Sequence, residues 1–182
     1  MRGSRIVPLV LLALLLAVLP ASATTLVRQG LDKLTTENEM VVHGRVLDLH
    51  SYWNADHNFI LTDVRVRPTQ MVKGAGSGDV TLTVMGGQVG ELSTVIIGGA
   101  DLVPGSEYVL FLSHVDLPGA ARRLTVRDHV QGVFEVIKGR AHSQAYGQPL
   151  YPDLEGRVDV PGGEAGLALD ELVRQVRQNI NR

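Results

Sequence analysis

His50, Asp56 and His57 are the residues whose types and spacing come nearest to a metal-binding set. Two imidazoles and a carboxylate carried by one loop could converge on a cation, and zinc takes three or four such ligands. Zinc also wants its ligands oriented by further partners around them, and nine loop residues carrying two His and one Asp are a weak signal for that. These three residues are therefore weak metal candidates. The adjoining Asn54-Ala55-Asp56-His57-Asn58 imitates the first half of a calcium loop. Phe59 then stands where the turn needs glycine, and Arg65 where a closing glutamate belongs, so an EF-hand is excluded.

Other chemistries fare no better. Ser113, His114 and Asp116 are hydrolase residue types, but neighbours on a strand point to opposite faces. Ser77 has Ala75 and Asp79 where a G-x-S-x-G elbow requires glycines, and H-E-x-x-H and cysteine are both missing from the chain. Asp153 and Glu155 lie in a Pro/Gly-rich segment, a poor platform for preorganised acid/base work. Gly74–Gly78 lacks the Gly-Lys-Ser/Thr ending of a phosphate loop and reads as a hairpin turn. The expectation is no catalytic residue and no cofactor. Trp53, the single tryptophan, sits in the same polar stretch as Asn54 and Asp56. It either folds over the end of the domain or stands out as a contact anchor, which makes Trp53, Asn54 and Asp56 candidate partner-binding residues.

The elements that must position these residues begin with a strand pair. Ile60, Thr62, Val64 and Val66 alternate with Leu61, Asp63, Arg65 and Arg67, a period of two with one packed and one wet face. Pro68 lacks a backbone donor and is expected to stop this ladder. Val41–Leu49 is apolar on both faces and contains Gly44, which suits a kinked strand at a barrel corner. His50–Asn58 reads as the loop between them. Further strands are expected at Asp79–Met85, Leu92–Ile97, Glu107–Ser113, Leu124–Val130 and Val133–Ile137, separated by Gly- and Pro-containing turns. Glu107–Ser113 has no polar face, so both its sides should be covered.

About seven short strands within a hundred residues predict an all-β domain with flanking helices. A small OB-like Greek-key barrel is the first choice and a β-sandwich the second. Leu26, Leu31 and Leu34 mark a short amphipathic lead-in expected to cover one end of the barrel. Ala141–Gly166 reads as a Pro/Gly-rich loop. Leu169, Leu172, Val173, Val176 and Ile180 form one stripe of a C-terminal helix expected to pack on the barrel. The domain plan is then residues 1–23, 24–39, 40–140, 141–166 and 167–182.

Met1–Ala23 has the make-up of a secretory signal: Arg2 and Arg5, an apolar run from Ile6 to Leu19, and Ala21-Ser22-Ala23 as cleavage site. The run is short for a membrane span of about 20 residues. Removing it takes away two arginines and leaves 15 basic against 19 acidic residues, which is not the balance of a nucleic-acid binder. The expected product is a soluble periplasmic or extracellular domain with no membrane contact after cleavage. Without cysteine it is held by its core alone.

Several runs carry a resemblance: Val41-Val42-His43-Gly44-Arg45-Val46, Val72-Lys73-Gly74, Gly86-Gly87-Gln88-Val89-Gly90, Pro104–Leu112, Gln131-Gly132-Val133-Phe134 and the closing Leu169-Asp170-Glu171-Leu172. In this order they resemble a family of uncharacterised exported bacterial β-barrel proteins. More distantly the pattern is similar to the OB-type barrel of tissue metalloprotease inhibitors and netrin-like modules. That likeness implies a fold, not a function. The animal inhibitors act through an N-terminal cysteine that this chain lacks, so no functional residue carries over. The reading that results is an exported, non-catalytic binding or accessory module for a protein or saccharide partner. The alternative is a metal-dependent hydrolase built on the loop at 50–57.

Overall fold

The computed structural model describes residues 27–147 and 162–182. The signal segment, Leu26, Asp153 and Glu155 lie outside the described residues, as do Pro149, Pro152 and Pro161. The domain is all-β with two flanking helices. In chain order the elements are α1 (Leu31–Glu37), β1 (Met40–Trp53), β2 (Ile60–Lys73), β3 (Val80–Met85), β4 (Gly87–Val89), β5 (Leu92–Thr94), β6 (Glu107–Leu117), β7 (Ala120–Thr125), a 3₁₀ turn (His129–Gly132), β8 (Val133–Ile137), β9 (Arg140–Ser143), β10 (Leu167–Ala168) and α2 (Leu169–Ile180).

The main sheet is antiparallel, in the order β10-β9-β8-β6-β1-β2-β3, with β7 also on β6. β7 pairs with the C-terminal half of β6 and β8 with its N-terminal half. β3 comes alongside β7, yet no ladder joins them, so the expected barrel is a curved sheet that stays open at this seam.

Two apolar layers hold it together. Val42, Val46, Val64, Val66, Leu82 and Leu110 pack inside the curve. Val41, Val109, Phe111 and Phe134 pack on the other face under Leu34 of α1 and Leu172 and Val176 of α2. This explains the missing polar face of β6: Tyr108 to Leu112 is buried throughout because each side meets its own core. It also corrects the lead-in. α1 does not cap a barrel end but shares the outer face of the sheet with α2.

Pro68 does not end its strand. β2 runs on to Lys73, and Pro68 pairs with Gly44 beside a register shift, where the ladder is already irregular. A Cβ on Gly44 would come within 2.5 Å of the Arg67 carbonyl oxygen, so the glycine marks a close backbone approach as its position suggested. β1 likewise extends to Trp53, which shortens the expected loop. The expected strand at Leu124–Val130 is replaced by β7 and the 3₁₀ turn. Part of the supposed Ala141–Gly166 loop is strand, since β9 pairs with β8.

Lys73 ties β2 to α1. Its Nζ donates to the carbonyl oxygens of Thr35 at 2.6 Å and Asn38 at 2.5 Å. These bonds satisfy carbonyls that a helix end leaves unpaired and put a cation at the negative end of its dipole. Burial pulls the Lys73 pKa below that of a free lysine. Lys73→Met is expected to cost about 1–2 kcal/mol. The measurement is the urea midpoint, which should fall while the slope stays constant.

Candidate functional site

A groove of about 640 Å³ runs along α2, between the helix and the β1–β2 pair. Its helix wall carries Asp170, Arg174, Arg177, Gln178 and Asn181, and its sheet wall His43, Thr69 and Gln70. The helix wall follows from sequence. The stripe Leu172, Val173 and Val176 is drawn into the core, which turns the polar positions beside it toward the groove.

His43 is the unusual residue here. It lies in an otherwise apolar part of β1 and is only 7% exposed. Its Nε2 lies 2.6 Å from Oε1 of Glu107 on β6; a carboxylate can only accept, so Nε2 carries the hydrogen of this bond. Glu107 also lies 3.8 Å from the Arg45 guanidinium. Neither His43 nor Glu107 stands out in the sequence as a pair, because 64 positions separate them. The one signal was an imidazole inside a run apolar on both faces.

The residues singled out from sequence are not gathered. His50 belongs to β1, where it pairs with Asp63 and stacks on Tyr52 with ring centroids 6.1 Å apart. Asp56 and His57 sit in the short turn beyond it, exposed. Among the described residues no group of three metal-ligating side chains forms. Asn54 is not a free contact residue. It is 2% exposed, and its side-chain oxygen accepts from the backbone N–H of Asn58 and Phe59, at 3.0 and 3.1 Å. Its Nδ2 donates to the Pro118 carbonyl at 3.2 Å and so ties this turn to the β6–β7 turn. Trp53 is half-buried opposite Ile60, neither sealed under the fold nor fully offered as an anchor.

Ser113, His114 and Asp116 form no triad. The Ser113 hydroxyl is buried and donates to Oδ1 of Asn38 at 3.1 Å. His114 is exposed and bonds Glu39 at 2.7 Å, which holds the Glu39 pKa below the usual carboxylate range. Asp116 accepts from the Arg122 backbone N–H at 2.9 Å.

A second feature was read from sequence only as a flexible turn. At Gly86-Gly87 the chain crosses over the end of β1 and β2. Gly86 accepts a hydrogen bond from Thr62 Oγ1 at 2.7 Å, and Thr62 Oγ1 lies 2.8 Å from Ser51 Oγ. A Cβ on Gly87 would run into both hydroxyls, and its φ of +131° suits glycine alone. From this crossing β4 and β5 form a separate two-stranded arm. The arm and its return carry Leu92, Val95 and Ile97, which are 61%, 82% and 93% exposed.

No protein-family model matches the chain, and no curated protein matches it. The arm offers aliphatic surface and the unpaired outer edges of a small hairpin. The groove offers hydrogen-bonding groups of both polarities around one oriented imidazole.

Proposed function

We propose that this chain is an exported, non-catalytic binding module whose partner is a protein, engaged through the β4–β5 arm. The observation that carries the reading is the exposure of Leu92, Val95 and Ile97, one on the arm and two on the segment that returns from it. Contiguous exposed aliphatics mark interaction surfaces more often than single ones do. The surface is aliphatic, where stacking on a sugar ring calls for an aromatic face; this favours a protein over a saccharide. A hairpin edge adds backbone donors and acceptors that an extended partner segment can pair. The exported address rests on the composition of Met1–Ala23.

The test replaces Val95 and Ile97 together by serine in the mature chain. Both side chains project into solvent, so stability should change by no more than about 0.5 kcal/mol per site. Wild-type bait is expected to capture a partner protein from the exported fraction, and the double variant to lose it. Equal capture by both would reject the arm as the binding surface.

A further inference from the structure

We propose that the groove beside α2 is a separate binding site for a short peptide with free ends, about three residues long, laid along the helix. It does not depend on the arm.

Asp170 and Arg177 are seven residues apart, two turns along one side of α2, or about 10 Å at the helical rise. An extended tripeptide also spans about 10 Å. The two residues offer opposite charges two turns apart along the groove, as a peptide with a free ammonium and a free carboxylate requires. Arg174 is already engaged by Glu171, with Nη2 2.5 Å from Oε2. Arg177 has no carboxylate partner among the described residues and is free to take a terminal carboxylate bidentately. Gln70 faces the groove from the sheet wall, and Gln178 and Asn181 lie at and beyond the Arg177 end of the helix wall. A carboxamide both donates and accepts, and so matches peptide N–H and C=O groups. His43 completes the set. With Nε2–H committed to Glu107, the neutral imidazole would present Nδ1 as an acceptor for a peptide N–H. Leu169 and Val173 supply an apolar strip for a small side chain. A neutral saccharide would make no use of the separated charges.

The experiment follows the His43 imidazole signals of the mature chain by NMR. Trialanine is the probe, with its C-terminal amide, its N-acetyl form and maltotriose for comparison. Trialanine is expected to shift the His43 signals saturably, and amidation or acetylation to weaken binding about tenfold each, the loss of one charge-assisted contact. Arg177→Gln should abolish the preference for the acid over the amide, and Asp170→Asn the preference for the free amine. Both positions are exposed, so the variants keep the fold. The Val95/Ile97 serine variant should bind trialanine unchanged, which separates this site from the arm. The proposal is overturned if ~10 mM trialanine, ten times a 1 mM dissociation constant, gives no saturable shift. Equal binding of acid and amide, or a response to maltotriose in place of trialanine, overturns it as well.

Discussion

Leu110→Asp is expected to leave no folded protein. Leu110 is fully buried in β6, flanked by Val42 of β1 and Val133 of β8, and belongs to the layer inside the curved sheet. A carboxylate placed there has no partner and no water, which costs several kcal/mol, whether the group stays charged or takes up a proton. A domain of this size is stable by only about 5–15 kcal/mol. Val64→Asp, also fully buried and in the same layer, should fail in the same way. Leu110→Met keeps the volume and should cost less than about 1.5 kcal/mol. Circular dichroism melts separate these outcomes. A soluble Leu110→Asp variant with a cooperative transition would show that β6 is not the centre of the core.

Removing residues 167–182 is expected to be nearly as damaging. The deletion takes Leu172, Val173 and Val176 out of the outer layer and exposes Val41, Val109, Phe111 and Phe134 beneath them. It also strips β10 from the edge of β9. A free helix of this length is marginal in water, so the attraction runs both ways: the sheet holds the helix, and the helix seals the sheet. The single change Leu172→Ala should cost about 2–5 kcal/mol, because the residue is fully buried and its removal leaves a gap in the outer layer. The truncated chain should melt far below the full chain and bind an apolar dye. An unchanged melting temperature would mean that the outer layer contributes little and that α2 serves some other surface.

How much of this could be read from the residues depends on how local the cause is. The stripe of α2, the doubly apolar β6 and the alternation of β2 are local patterns, and each became the element it implied. The special role of Gly44 was legible for the same reason, and the structure shows it as a close approach to the Arg67 carbonyl beside a register shift. Pro68 was misread because its missing donor is harmless where β1 and β2 are out of register, and register is a property of two strands together. The polar run His50–Trp53 became strand because β2 is long enough to pair with it, with the Ser51 and Thr62 hydroxyls meeting across the ladder. Gly86-Gly87 looked like any flexible turn; what demands glycine there is a pair of hydroxyls from distant strands. The site suffered most from this limit. Asn54 has the composition of a contact residue but serves as the internal brace of its turn. The His43–Glu107 bond joins two strands that are neighbours only in the folded sheet.

A photo-crosslinking side chain at position 97 tests whether the β4–β5 arm and its return bind a protein. Ile97 is the most exposed of the three aliphatics on the arm and its return, and Ile137, half-exposed at the end of β8, serves as the control position. The label is carried by the mature chain, exposed to the exported fraction and illuminated. One discrete adduct with another protein is expected from position 97 and none from position 137. The same adducts from both positions, no adduct at 97, or an adduct with the mass of two copies of this chain would contradict it.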